Sequence, residues 1–258
     1  ILIYGPTASG KSIFSIKLAK KINGEIINAD SMQVYKDLKI LSARPLKKDY
    51  QKIKHHLYGF LSAKKNFSSG DWLKLTKQKI LDIRKRKKTP ILVGGTGLYF
   101  KALTEGLVNI PNIPINFRKE VRSLYKKLGS KKFYSKLVKL DPLVKNRISP
   151  YDTQRSIRAY EVKSFTKKSI YDWFKNTRSA FERNDFCKIC IEFPRDRLIK
   201  RINARTEEMI NKGVILEVKK FLRLKIQSSK TAHKAIGIKE IRDFLNKKID
   251  ISEVIERI

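Results

Sequence analysis

Residues 5–12 read Gly5-Pro6-Thr7-Ala8-Ser9-Gly10-Lys11-Ser12, the spacing G-x-x-x-x-G-K-[ST]. Glycines at those positions let backbone N–H groups close around phosphate oxygens, and the start of a following helix adds its partial positive charge. In such a loop Lys11 neutralises the outer phosphates and Ser12 ligates Mg²⁺. A chance glycine-rich turn is the plain alternative. It is disfavoured by the apolar run before the loop and the helical pattern after it. The loop specifies a di- or triphosphate without saying which.

Two further residues could act on a bound phosphate. Asp30 follows the apolar run 25–29, and Thr96 lies in Gly94-Gly95-Thr96-Gly97 after the run 91–94. A lone carboxylate beside a diphosphate suits a general base. A threonine presented by a glycine turn suits a hydrogen bond to a leaving or bridging oxygen. Taken singly, Asp30 reads as well as a helix cap and Thr96 as an ordinary turn residue; together beside a phosphate loop they read as a site. Hydrolases with this loop usually end a second strand in an acid that holds Mg²⁺. Here Ser31-Met32-Gln33 follows Asp30 and the run 91–94 ends without a carboxylate, so little points to hydrolysis.

Positioning these residues requires strands. The runs 1–4, 25–29, 91–94 and 188–193 are rich in Ile, Val or Leu, as strands buried on both faces tend to be. Between them, 11–22 reads as a helix with Phe14, Leu18 and Ile22 on one face. Residues 71–88 read as another, with Leu73, Ile80 and Ile83 on one stripe, Asp71 as its cap and a basic C-terminal end. Strands alternating with helices imply an α/β fold, a P-loop-type parallel sheet flanked by helices, whose ligands bind at the carboxyl edge. Residues 113–185 break the rhythm: they read as helices punctuated by Gly129, Asp141-Pro142 and Ser149-Pro150. The expected organisation is a discontinuous core, 1–112 and 186–258, with an all-helical insertion at 113–185. From Arg195 the pattern is helical, broken near Gly213 and around 227–231.

Composition bounds the rest. The chain has 258 residues, 41% of them hydrophobic, with 59 Lys+Arg against 24 Asp+Glu and a formal net charge of +35. That length buries a real core, and the hydrophobic fraction argues against wholesale disorder. The charge fits a polyanionic partner such as nucleic acid, and equally the Lys- and Ile-rich coding of an AT-rich genome. No apolar run approaches the roughly 18 residues of a membrane span. The 2 cysteines favour a reducing, cytoplasmic compartment over a disulfide framework. Cys187 and Cys190 form a C-x-x-C inside a strand pattern, where residues three apart face oppositely, and core packing is expected of them. His55, His56 and His233 are too scattered for a metal cluster, and Trp72 and Trp173 read as helix anchors. The first residues already read as strand without an initiator Met or a targeting segment, and the last break off inside a helical pattern, as expected of a fragment trimmed at both ends.

The segments GPTASGKS (5–12), DSMQVYKDL (30–38), LVGGTGLYFKAL (92–103), DTQRSIRAYEV (152–162) and KAIGIKE (234–240) together resemble the bacterial tRNA dimethylallyltransferases, the IPP transferase family, over essentially the whole chain. The resemblance implies transfer of a dimethylallyl group from its diphosphate to the exocyclic amine of the adenosine 3′ of the anticodon, with tRNA and dimethylallyl diphosphate as substrates, Mg²⁺ as cofactor and a monomeric enzyme. Thr7 to Ser12, with Gly5 and Pro6, would hold the diphosphate. Asp30 would take the proton of the attacking amine, Thr96 would sit beside the bridging oxygen, and Arg205 would stabilise departing pyrophosphate. The segments that would contact tRNA are Asp30, Ser31, Met32 and Gln33 with Thr96, then Gln154, Arg155, Ser156, Ile157 and Arg158, then Lys234, Ala235, Ile236, Gly237, Ile238 and Lys239, with Arg118. Arg155 and Arg158, three apart on one helical face, suit phosphate contacts.

The chain departs from the family pattern at three places. Leu41-Ser42-Ala43-Arg44-Pro45 stands where Gly-Thr-Ala-Lys-Pro is usual, Gly59 where an acid is common, and Ile238 where Tyr is usual, which removes an aromatic surface near the RNA. The family also continues past residue 258 with a basic helical segment. Two other classes remain as rivals. A small-molecule or nucleotide kinase explains the phosphate loop and a helical lid but not Gly-Gly-Thr-Gly. A non-catalytic basic RNA-binding module explains the charge but not an intact Lys11-Ser12 with Asp30 and Thr96.

Overall fold

The computed structural model describes residues 1–227 and 230–258. Among them, strands β1 (Leu2–Tyr4), β2 (Gly24–Asn28), β3 (His55–His56), β4 (Thr89–Gly94) and β5 (Lys188–Cys190) form one sheet in the order β3-β2-β4-β1-β5. Every neighbouring pair is parallel. The helices are α1 (Lys11–Lys21), α2 (Ser69–Lys85), α3 (Gly97–Thr104), α4 (Ile115–Leu140), α5 (Thr153–Thr166), α6 (Ile170–Phe174), α7 (Arg195–Asn211), α8 (Val214–Arg223), α9 (Ile238–Leu245) and α10 (Ile251–Arg257). The α/β reading with a parallel, helix-flanked sheet holds. The strand β3 went unread because two histidines at a sheet edge carry no apolar signature.

Register fixes where the chemistry gathers. Tyr4 pairs with Gly94 and Asn28 with Val93, so the loops after β1, β2 and β4 leave the same carboxyl edge of the sheet. A β-carbon on Gly94 would lie 2.1 Å from the Ala29 carbonyl oxygen. Only glycine therefore allows the β4 exit to press against the residue before Asp30.

The chain divides into two compact units, 1–104 with 181–258, and 105–180. The sequence reading placed 105–112 with the core and 181–185 with the insertion; in this division 105–112 fall in the second unit and 181–185 in the first. In the first unit α1 buries Ile16 and Ala19 against Ile3, Ile26, Ile91 and Val93. The α2 helix buries Trp72, Leu73, Ile80 and Ile83, and the Trp72 indole N–H donates to the Asn28 carbonyl (2.9 Å) while its ring stacks on Tyr99. A second core, absent from the sequence reading, packs Val34, Tyr35, Leu38 and Leu41 of the segment after β2 against Val214, Val218 and Phe221 of α8 and Ile238 and Ile241 of α9. Each such side chain contributes about 1.5–3 kcal/mol by leaving water. In the second unit α4 is broken at Gly129 (φ 71°, ψ 173°). There Leu137, Val144, Ile148 and Ala159 form the core, and Asp152 caps α5 through the Arg155 N–H.

Several local expectations are corrected. Phe14 is exposed, and the buried face of α1 is Ser15, Ile16 and Ala19, with Leu18 and Ile22 packed partly buried at its side. The cap of α2 is Ser68, with Asp71 reciprocating from the third helical position. Cys187 and Cys190 are both exposed, because the short β5 closes one end of the strand order and presents its residues to solvent. Trp72 is fully buried as a helix anchor, whereas Trp173 is half-buried with its indole N–H on Thr166 Oγ1. The break expected at Gly213 is present, the residue lying at φ 86° as the N-cap of α8. The break expected over 227–231 includes residues 228 and 229, which lie outside the described residues.

One charged group is buried within the sheet. Glu25, on β2, is 1% exposed and accepts from His56 Nε2 and Arg86 Nη2, both at 2.7 Å, with Lys88 Nζ at 3.4 Å. Burial alone would raise its pKa, but the hydrogen bonds from His56, Arg86 and Lys88 outweigh that and hold it at about 2.

Candidate active site

The phosphate loop leaves β1 at Tyr4 and enters α1 at Lys11. Gly10 takes the left-handed conformation at the N-cap (φ 93°), and no acid in the first turn offsets the positive end of the helix. Ser9 is buried, and its hydroxyl has no hydrogen-bond partner among the described residues. Lys11 Nζ folds back over the loop and donates to the Gly5 carbonyl (2.9 Å) and the Pro6 carbonyl.

Thr7, Ala8, Ser9, Gly10, Lys11 and Ser12 line a cavity of about 310 Å³, together with Asp30, Arg201 and Arg205. Gln33, Ser42, Ala43 and Tyr58 close another side of it. Arg205, on α7, donates to Thr7 Oγ1 at 3.5 Å and so joins α7 to the loop. Burial lowers the pKa of both Lys11 and Arg205, and the Asp30 carboxylate pulls each partly back up. The three charges share one field, in which an incoming diphosphate would meet two half-buried cations.

Asp30 is held by its neighbours on every side. Its N–H donates to Asn28 Oδ1 (2.9 Å), and the Asn28 amide returns a bond to the Asp30 carbonyl (2.9 Å) and reaches the Leu57 carbonyl (3.1 Å). Asp30 Oδ1 accepts from the Met32 N–H (2.8 Å) and more weakly from the Gln33 N–H (3.3 Å). No helix starts after Asp30 among the described residues, so it caps a turn and not a helix: one carboxylate oxygen holds that turn while the residue lines the cavity. The Thr96 N–H donates to the Ala29 carbonyl (3.3 Å), and its hydroxyl accepts from the Ser31 N–H (2.9 Å). Thr96 itself does not line the cavity, although Gly94, two residues earlier, does.

A family model described as IPP transferase matches residues 33–258. The chain belongs to the IPP transferase family. It is similar to a protein named tRNA dimethylallyltransferase from Pelagibacter ubique (strain HTCC1062), 58% identical over 100% of this chain and 82% of that protein. A protein of the same name from Ehrlichia canis (strain Jake) is 41% identical over 99% of this chain and 85% of its own length. Among solved structures, the full-length tRNA isopentenylpyrophosphate transferase of Bacillus halodurans superposes with a TM-score of 0.67 at 32% identity, over 99% of this chain and 80% of that one. A eukaryotic dimethylallyltransferase described as acting on tRNA gives a TM-score of 0.85 at 28% identity, over 99% and 65%. The resemblance carried by the sequence motifs is therefore borne out.

The segments tied to RNA by that resemblance fall in different surroundings. Gln33 lines the cavity, while Met32 packs on the second core. Ala235 and Ile238 are buried in that core, so their side chains face protein. Lys234, Ile236 and Lys239 are exposed. The exchange of Tyr for Ile238 is thus felt in the core. In the second unit Arg155 is exposed and pairs with Asp152 (3.4 Å), and Arg158 is half-buried against Glu161 (3.5 Å). Among the described residues the buried Ser156 hydroxyl and the buried Arg118 Nε have no hydrogen-bond partner, Ile157 is half-buried and Gln154 is exposed. Arg201, Asn28 and Tyr58 were missed by sequence reading. Arg201 lies one helical turn before Arg205, a spacing that could have flagged it; Asn28 and Tyr58 offered no signal. Burial pushes the Tyr58 phenol well above its usual range, so it stays a hydrogen-bond donor. Among the described residues no helix is long and apolar enough to cross a membrane.

Proposed function

We propose that this chain transfers a dimethylallyl group from dimethylallyl diphosphate to the exocyclic amine of the adenosine 3′ of the anticodon in tRNA. The observation that carries the reading is the meeting of Lys11, Asp30 and Arg205 in one cavity, at the edge where a phosphate loop opens a helix. The diphosphate would lie along Thr7 to Ser12, with Lys11 leaving its loop carbonyls for the phosphate oxygens. The amine nitrogen attacks the allylic carbon, that carbon's bond to the bridging oxygen breaks, and the displaced proton passes to Asp30. Negative charge grows on pyrophosphate as it departs, so Lys11, Arg205 and the loop amides bind it more tightly then than before. That difference is what accelerates the step. Thr96 can donate its hydroxyl hydrogen to the bridging oxygen while its lone pair keeps Ser31 in place. A base must leave its stack to reach such a site.

The donor set suits Mg²⁺ held chiefly by substrate oxygens and water, with Ser12 as its protein ligand, since Ser12 is exposed and the cavity it lines offers few carboxylates, Asp30 and Glu208. When bound, the ion would offset diphosphate charge. Contacts to tRNA would come from Asp30 to Gln33, from Arg118 and 154–158, and from 234–239, where Lys234, Ile236 and Lys239 present side chains. The net charge of +35 supports the encounter by counterion release. The enzyme would act as a cytoplasmic monomer.

The test is transfer of radiolabelled dimethylallyl diphosphate to unmodified tRNA by the full-length protein and its Asp30→Ala variant. Label at the adenosine beside the anticodon, reduced by about 10²- to 10⁴-fold in the variant, is the expected result. ATP consumption without transfer would replace this reading with a kinase.

A further inference from the structure

Glu217 lies on α8, outside the lining of that cavity, yet its carboxylate accepts from three consecutive backbone N–H groups of a distant segment. Oε2 accepts from the backbone N–H groups of Lys39 (2.8 Å) and Ile40 (2.9 Å), and Oε1 from those of Ile40 and Leu41 (both 2.9 Å). Consecutive amides turned toward one anion form a nest, and here the protein supplies the anion from a helix far along the chain.

The nest is the base of a continuous set of hydrogen bonds that ends on Asp30. The Ala43 N–H donates to the Ile40 carbonyl (2.8 Å) and the Arg44 N–H to the Lys39 carbonyl (3.1 Å), closing the turn over residues 39–44. The Ser42 hydroxyl donates to the Leu38 carbonyl. The Gln33 side-chain amide donates to the Ser42 carbonyl (3.0 Å) and more weakly to that of Ala43 (3.4 Å). The Gln33 backbone N–H donates to Asp30 Oδ1 (3.3 Å). Gln33, Ser42 and Ala43 form one wall of the cavity, and Arg201, Arg205 and Glu208 of α7, the helix just before α8, form another.

We propose that Glu217 is a positioning residue for the transfer reaction: by binding the amides of residues 39–41 it fixes the wall that carries Asp30 and Gln33 with respect to the α7–α8 pair that carries Arg205. This rests on the reading of the cavity as a prenyl-transfer site. A base and a leaving-group cation act on opposite ends of one displacement, so their separation must hold to a fraction of an ångström. A carboxylate suits the task because both of its oxygens accept. A glutamine in its place offers one accepting oxygen and turns an N–H₂ group toward amide donors.

The experiment compares wild-type protein, Glu217→Gln, Glu217→Ala and the control Lys220→Ala, an exposed residue on the same helix. Two readouts are taken: amide hydrogen exchange, and steady-state transfer to tRNA below the unfolding temperature. In Glu217→Gln, which preserves size, protection is expected to fall at residues 39–41 and also at Met32 and Gln33. Its kcat is expected to fall roughly 10- to 100-fold while KM for dimethylallyl diphosphate moves by less than about threefold. Glu217→Ala should repeat the pattern and Lys220→Ala should match wild type. Both responses are required. An unchanged kcat, or a loss of protection confined to 39–41, overturns the proposal by reducing Glu217 to a local staple. Wild-type protein that transfers no prenyl group would instead overturn the proposed function itself.

Discussion

The hydroxyl of Thr96 accepts the backbone N–H of Ser31 at 2.9 Å, so the loop after β4 is tied to the residue that follows the candidate base. This contact joins segments 65 positions apart and gives Thr96 two uses, as an acceptor toward Ser31 and as a donor toward substrate. Thr96→Val keeps the shape and removes both. An amide left without its partner costs about 1–3 kcal/mol, so kcat is expected to fall by roughly 10- to 100-fold, while Thr96→Ser should stay within about threefold of wild type. Equal activity of the valine and serine variants in a transfer assay would remove Thr96 from the mechanism.

The two arginines of α7 that line the cavity separate by their surroundings. Arg205 reaches Thr7 Oγ1 across the phosphate loop, whereas the Arg201 guanidinium lies 4.7 Å from the centre of the Phe193 ring. A cation that meets charge as it develops affects kcat; one that meets charge already present in the substrate affects KM. Arg205→Ala is therefore expected to lower kcat by about 10²- to 10³-fold. Arg201→Ala is expected to raise KM for the diphosphate substrate with a smaller change in kcat. Single-turnover kinetics on both variants check the division, and a reversed pattern would exchange their roles.

The buried cluster at Glu25 predicts how acid unfolds the first unit. Its carboxyl is held at about 2 against an ordinary 4.5, so the folded state binds fewer protons than the unfolded chain. That contribution is complete above about pH 4.5 and drains away as the pH falls toward 2. Burial also lowers the pKa of His56 below its ordinary 6.5, so acid begins to favour unfolding slightly earlier, as that imidazole is charged. Urea unfolding from pH 7 to pH 3 should show stability falling across this window. Glu25→Gln, which leaves Arg86, Lys88 and His56 around a neutral group, should lose on the order of 3 kcal/mol at pH 7 and show a flatter acid limb. A variant with the wild-type pH slope would place the acid sensitivity elsewhere.

What the sequence made legible follows from how local each feature is. The phosphate loop, Asp30 and Thr96 each directly follow an apolar strand, so a short window contains both the element and the residue it presents. Glu217 cannot be read that way: its partners, Lys39 to Leu41, lie 176–178 positions earlier, and no periodicity links them. The same distance hid the second core, since Val34, Tyr35, Leu38 and Leu41 are buried by helices from the far end of the chain. Cys187 and Cys190 were misjudged for a different reason. An apolar run looks alike in a central and an edge strand, and only the sheet order separates them.

Two departures from the family pattern, Arg44 and Gly59, meet in space. Gly59 has φ 56°, and a β-carbon there would lie 1.6 Å from Arg44 Nη1, the same nitrogen that donates to the Tyr35 carbonyl at 3.1 Å. The Gly59 N–H in turn donates to the Gln33 carbonyl at 2.8 Å, so the pair braces the segment that forms the cavity wall. The missing side chain at 59 is the space that the longer guanidinium fills. Gly59→Ala should then lose stability twice over, by about 1–2 kcal/mol for a left-handed residue with a β-carbon and further by displacing Arg44. Arg44→Ala alone should lose the bond to Tyr35. In the double variant the collision is absent, so its loss of stability should be smaller than the sum of the single losses by about 1 kcal/mol or more. Urea unfolding of the four proteins measures this coupling, and single losses that add within about 0.5 kcal/mol would show that Arg44 moves aside freely and that the two departures are independent.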